Sequence, residues 1–267
     1  QVTEAGDIIG VDAALDFPLF YHLPGVSKGL EAPSDVVNMY ELRRQVERDI
    51  LSTHGDATGF FVTFLDNHDQ TARFYYRDPN NPDAYDDQVS LGVGCLFALP
   101  GIPCMYYGTE QGLSDSGDAP EAVREALWGK PDAFDRSSVF YRAISQLTTV
   151  RNTSPALRYG RHYFRPISGD NVHFGISTDT PGVLAFSRIL NDVEVVVVAN
   201  TSTVEGWTGE IIVDYSLNAK DAPYSVLFSN KAQAAVPGAV AEKLAGSVQI
   251  TEVDGRITNG PVPVSYT

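Results

Sequence analysis

Apolar positions follow one pattern up to about residue 152 and another from about residue 160. In the first part, short continuous apolar runs alternate with segments whose apolar residues recur every three or four positions. The run from Ile8 to Phe20 predicts a strand and is followed by a Pro/Gly-rich stretch at Pro24 and Gly25. Ser34 reads as an N-cap with Asp35 in the first turn, and Val36, Met39, Leu42, Val46 and Ile50 then fall on one face of an amphipathic helix. The opposite face carries Arg43, Glu47 and Arg48. Phe60 to Leu65, rich in aromatic and β-branched residues, predicts a buried strand that ends on Asp66, Asn67, His68 and Asp69. Val89 to Leu99 predicts a mostly apolar helix in which Gly92 and Gly94 allow close packing and which Pro100 stops. Gly101 to Gly108 predicts another short buried strand, and a long polar loop runs on to Asp135. A last helix, capped by Ser137 or Ser138, carries Phe140, Ile144, Leu147 and Val150 along one face and ends at Asn152 and Pro155. This alternation implies parallel strands joined by right-handed crossovers.

From Gly160 the helical period is lost. Runs of β type cover Asn171 to Ser177, Val183 to Ile189, Glu194 to Ala199, Glu210 to Asp214, Ser225 to Ser229 and Ser247 to Val253. Asn191 and Asp192 sit in the turn of a hairpin, and the whole stretch predicts an antiparallel β-sandwich. The fold class is therefore α/β plus all-β, with an α/β unit over residues 1–159 and a β unit over residues 160–267.

Composition narrows the partners. Of 267 residues, 43% are hydrophobic, enough for a core without disulfide or metal staples. Acids outnumber bases 34 to 19, for a net charge of −15, and no dense Lys/Arg run is present, which argues against nucleic acid and anionic membrane surfaces as partners. Apolar stretches such as Val195 to Ala199 fall far short of the roughly 20 residues that span a bilayer. Cys95 and Cys104 lack metal-ligand spacing and read as buried free thiols, because a disulfide across Pro100 and Pro103 is geometrically demanding. The first residues show no basic and apolar leader pattern, so no targeting signal is predicted and no compartment is fixed.

The chemistry concentrates at the end of the Phe60–Leu65 run. Parallel α/β folds place their sites at the C-terminal ends of strands, where Asp66, Asn67, His68 and Asp69 fall. A His between carboxylates can donate a hydrogen bond to a ligand, and paired carboxylates shift each other's proton affinity. The same residues also fit a strand-end cap without function, or, as Asp, His and Asp, part of a metal site.

Four segments carry a resemblance. FVTFLDNHDQTARF (61–74) and LFALPGIPCMYYGTEQGL (96–113) resemble the seventh and eighth barrel strands of the α-amylase family of glycoside hydrolases. GVDAALDFPLFYHLPG (10–25) looks like the sixth-strand region, and VLAFSRILNDVEVVVVANTS (183–202) resembles the start of the β-sandwich that follows the barrel. The resemblance implies the C-terminal portion of a TIM (β/α)8 barrel followed by that sandwich.

It implies that Asp69 is the family's third catalytic carboxylate, which binds sugar hydroxyls in the −1 subsite, and that His68 hydrogen-bonds the same sugar. Asn67, Phe17 and Tyr107 are the substrate-binding candidates. Arg73 is expected to anchor the strand-end loop by pairing with a carboxylate, and Glu110 is a loop acid facing the cleft or solvent. The nucleophile and the general acid of this retaining family come from the fourth and fifth strands, which these residues do not include; Glu4 reads as a surface residue and no substitute for them.

A complete barrel takes about 250 residues, so the β unit leaves too few here. The implied substrate is an α-1,4-glucan, and the chain by itself is expected to be inactive. The implied partners are the missing N-terminal half or a second copy, by self-association. Calcium belongs to the parent protein at most, and no residue of this chain is assigned to it. The alternative is a non-catalytic carbohydrate-binding or scaffold protein that keeps an amylase-like remnant.

Overall fold

The computed structural model describes residues 13–50, 57–119, 121–130, 133–218, 224–230, 250–253 and 256–259. Strand β1 (Ala14–Leu15) is shorter than the apolar run around it. The reason is Asp16, whose carboxylate accepts the Leu19 N–H at 3.1 Å and starts α1 (Phe17–Phe20) with Pro18 in its first turn. Phe17 thus stands on a helical turn rather than on a strand, and Ile8 to Asp12 lie outside the described residues. Helix α2 (Leu23–Ser27) follows.

Helix α3 (Pro33–Ile50) begins one residue before Ser34, with Pro33 at the first helical position. The Ala32 N–H donates to the Asp35 carboxylate at 3.2 Å, so Asp35 rather than Ser34 makes the terminal bond. Val36, Met39, Tyr40 and Arg43 are buried, whereas Leu42 is 63% exposed. Periodicity had placed Leu42 inside and Arg43 outside. The inversion follows from Asp16: both its oxygens receive Arg43, with Nη1 to Oδ2 at 3.1 Å, while the guanidinium lies 4.4 Å from the Phe61 ring centre.

A 3-10 turn (Ala57–Phe60) leads into β2 (Phe61–Thr63). Helix α4 (Asp86–Ala98) connects β2 to β3 (Ile102–Pro103) and ends where Leu99 turns extended ahead of Pro100. At Gly92 a Cβ would come within 2.4 Å of the Phe74 ring, the close packing expected of this glycine. The strands form a parallel sheet in the order β1-β2-β3, with Leu15 opposite Val62 and Val62 opposite Ile102. A 3-10 turn (Thr109–Gln111), α5 (Val139–Thr153) and α6 (Pro155–Tyr159) complete this part. Ser138 occupies the N-cap position of α5 without a side-chain capping bond, and Ile144 and Leu147 are buried on the predicted face.

Beyond it lie β4 (Arg161–Phe164), β5 (Ile167–Ser168), β6 (Val183–Leu190), β7 (Val193–Asn200), β8 (Glu210–Ile211), β9 (Ile250–Val253) and β10 (Arg256–Asn259). All their pairings are antiparallel: a β4-β6-β7 sheet and the pairs β5-β8 and β9-β10. The β6–β7 hairpin turns on Asn191 and Asp192, and Asn191 takes φ 53°. Among the described residues the expected strand at Asn171 to Ser177 reduces to one bridge, Gly175 to Ile167, and Ser225 to Ser229 forms no ladder. Ser247 to Gln249 lie outside the described residues.

One apolar cluster joins the two parts, running from Leu19, Val36 and Leu65 through Val93 and Leu96 to Leu184 and Phe186. Two arginines stitch the same junction. Arg188, 2% exposed, donates to the carbonyls of Ala98 at 2.6 Å and Gly160 at 3.0 and 3.1 Å. Arg151 donates to those of Phe97, Leu157 at 3.2 Å and Gly101 at 3.0 Å. Carbonyls left open at the ends of α4 and α6 are thereby paired. Burial, and next the charge of Arg151, push the Arg188 guanidinium down to about 10. Both cysteines are free; Cys95 is buried as expected, but Cys104 is exposed, two residues on from the half-exposed Ile102 and so on the same open side of the extended chain.

Candidate functional site

Chain continuing from β2 buries Phe64, Leu65 and Asp66, then emerges at Asn67. Asp66 accepts the Phe74 N–H at 2.8 Å, closing the neck of a loop that runs from Asn67 to Arg73. Burial pushes its carboxyl above the usual carboxylate range, against the Phe74 bond and the charges of Arg73 and Lys28. Burial likewise pushes the Lys28 ammonium down, with Asp66 opposing. Asp66 therefore supports the loop from below and offers little surface to a ligand.

Asn67 Oδ1 accepts the Asp69 N–H at 2.8 Å, a local turn that fixes where Asp69 points. His68 Nε2 lies 3.2 Å from Asp69 Oδ1, and the two side chains are 59% and 68% exposed. The predicted trio thus stands together at the C-terminal end of the middle parallel strand, open to solvent.

Arg73 is the loop's second anchor. Its Nε donates to Glu125 Oε2 at 2.9 Å and its Nη1 to the Tyr107 carbonyl at 2.7 Å, with the guanidinium 4.3 Å from the Tyr106 ring centre and 4.9 Å from that of Tyr107. The carboxylate expected for Arg73 is Glu125. Tyr107 turns its hydroxyl to the Glu125 carbonyl at 2.9 Å and keeps part of its ring exposed. Phe17 stands apart from the trio: its ring contacts are Phe20, Tyr21 and Phe64, the last at 5.3 Å edge to face. Glu110 folds back onto the Gly108 N–H at 2.9 Å. Glu4 lies outside the described residues.

Sequence reasoning missed Arg124, whose Nη2 reaches Asp69 Oδ1 at 3.4 Å and whose Nε donates to the His68 carbonyl at 3.2 Å. It sits in a polar loop with no hydrophobic period, so no local signal marks it. Sequence reasoning missed Asp16 too, although Asp followed by Phe-Pro is a helix-start pattern. Among the described residues no group of three or more His, Cys, Asp or Glu is placed to hold a metal ion. A cavity of about 600 Å³ lies between α4, α5 and β7, lined by Leu91, Cys95, Leu147 and Val195 among others, and none of Asn67, His68 or Asp69 borders it. The polar chemistry belongs to the open strand end instead.

No family model matches the chain. Among curated proteins it is 31% identical over 155 residues to the cyclomaltodextrin glucanotransferase of Bacillus licheniformis, a match covering 57% of the chain and 20% of that protein. It is 36% identical over 153 residues to the beta/alpha-amylase of Paenibacillus polymyxa, covering 56% of the chain and 11% of the relative. With the alpha-amylase of Niallia circulans it shares 29% over 157 residues, covering 57% and 27%. The match therefore spans about a quarter or less of each relative's length. Among solved structures, an alpha-amylase from H. orenii superposes with TM-score 0.62 at 17% identity over 96% of the chain and 48% of its own. The cyclomaltodextrin glucanotransferase CldA gives 0.61 at 22% identity over 94% and 43%. Their fold is the one seen here, part of a (β/α) barrel followed by a sheet domain.

Proposed function

We propose, from the premise that this chain is the C-terminal part of an α-amylase-family glycoside hydrolase, that it supplies the sugar-binding side of the −1 subsite in an enzyme acting on α-1,4-glucans with retention. The observation that supports this reading is the Asn67–His68–Asp69 turn at the C-terminal end of β2, with the Asp69 carboxylate exposed beside an imidazole 3.2 Å away. A carboxylate there accepts hydrogen bonds from adjacent sugar hydroxyls, and His68 donates one to the same ring. Such bonds strengthen as positive charge develops on the sugar, which lowers the barrier by several kcal/mol, roughly. Asn67 acts by holding the turn, and Tyr107 and Phe17, each partly exposed, are the aromatic candidates for the sugar chain.

The nucleophile and the general acid are supplied from outside this chain, as are the strands that close the barrel, with residues 1–159 forming the barrel part and 160–267 the sandwich. Calcium, which the resemblance allows in the parent protein, is assigned to no residue of this chain.

The purified chain is expected to bind maltoheptaose and to leave starch intact. Asp69→Ala should weaken the binding at least about tenfold, the loss of one charge-assisted bond pair. Absence of maltoheptaose binding by the unaltered chain would overturn the subsite reading. Starch hydrolysis that disappears in Asp69→Ala would overturn the assignment of the remaining catalytic groups to other segments.

A further inference from the structure

We infer that Arg124 is a positioning residue for Asp69, delivered by its neighbour Glu125, and that it decides which carboxylate oxygen faces the ligand. Glu125 is fastened twice to the strand-end platform, by the Arg73 Nε bond at 2.9 Å with side chains 1% and 7% exposed, and by the Tyr107 hydroxyl on its carbonyl. With residue 125 so fixed, the Arg124 side chain lies across the Asn67–Asp69 turn. Its Nε holds the His68 carbonyl at 3.2 Å and its Nη2 reaches Asp69 Oδ1 at 3.4 Å.

His68 Nε2 approaches that same oxygen. Both contacts, from the Arg124 guanidinium and the His68 ring, fall on Oδ1, while Oδ2 makes no hydrogen bond among the described residues. A carboxylate gripped by one oxygen is held in rotation about its Cβ–Cγ bond and presents the other to a hydroxyl pair. This inference rests on the sugar-binding reading of Asp69 for its ligand, but not for its geometry. It makes the Glu121–Lys130 loop, which has no apolar pattern of its own, a determinant of the site.

Hydrogen–deuterium exchange of the peptide covering Asn67–Arg73, measured on the 267-residue chain with and without maltoheptaose, separates the two readings. Arg124→Gln should speed exchange there about two- to fivefold, the range for a partly exposed ion pair, and Arg124→Lys should restore part of the protection, because an ammonium keeps the charge but not the forked grip. Lys130→Gln, a charge change in the same loop, should leave it unaltered. Maltoheptaose affinity should fall by a similar factor in Arg124→Gln, and the effect should vanish in an Asp69→Asn background.

Exchange in Arg124→Gln equal to that of the unaltered chain would overturn the inference, as would an Arg124 effect of the same size with and without the Asp69 charge. If the exchange pattern holds but the unaltered chain neither binds maltoheptaose nor gains protection from it, the glucan reading fails and the positioning role stands.

Discussion

Asp16 does three jobs with one carboxylate that has no exposed surface: it ends β1, starts α1 and neutralises Arg43. Asp16→Ala leaves a buried guanidinium unpaired, and urea unfolding should show a loss of about 3–5 kcal/mol. Asp66 is the opposite case, a buried carboxyl that folding drives toward its protonated form. Its stability contribution is complete below the unfolded-state value near 3.8 and is lost as pH rises through the higher folded-state value. Asp66→Asn should therefore gain on the unaltered chain as pH rises from about 4 to 7, read as a widening difference in urea midpoints. Single residues were the least legible part of the sequence. Period-3.6 counting put Leu42 inside because it weighs hydrophobicity alone, whereas Arg43 owes its burial to a carboxylate 27 positions away. The place of Asn67, His68 and Asp69 at a strand end was legible, because a short apolar run ending abruptly in four polar residues is a local signal. Arg124 was not, since its meaning lies wholly in what Glu125 is tied to.

Secondary structure was most legible where two local signals agreed. The β6–β7 hairpin combined β-branched runs with Asn-Asp at the turn, and it pairs through Leu190 and Val193 as that pattern requires. Asn191 takes φ 53°, a region that a β-branched side chain resists. Asn191→Val should cost about 1–2 kcal/mol, measurable as a lower unfolding midpoint, with Asn191→Gly near neutral. Helices α4 and α5 were readable for the same reason, with Pro100 and Pro155 as stops. The β1 run was overread: apolar content continues through Phe20, but Asp16 and Pro18 convert its second half to helix. Asn171 to Ser177 failed differently, because a strand needs a partner over several residues and among the described residues only Gly175 finds one.

At the scale of the molecule, the parallel sheet among the described residues carries apolar side chains that stay half exposed. Leu15, Phe60 and Ile102 are each about half exposed on adjoining strands or their ends. Such a surface favours association. Sedimentation velocity at micromolar concentrations should show species larger than one chain, shifted toward the single chain by Leu15→Lys with Ile102→Lys. The change of pattern at residue 160 was plain in the sequence, yet the tie across it was not, because a carbonyl acceptor leaves no mark in a residue string. Gly160 donates its N–H to the Ala156 carbonyl at 2.8 Å while its own carbonyl takes two bonds from Arg188. A cut there would strand helix-end carbonyls with no partner but water. Trypsin offers a direct reading of that grip, since Arg158 and Arg161 bracket the junction with two bonds of the type it cleaves. A linker would be nicked there first, whereas a backbone held on both sides cannot unfold locally into a protease cleft, and these two bonds should outlast the cleavage of exposed loops elsewhere.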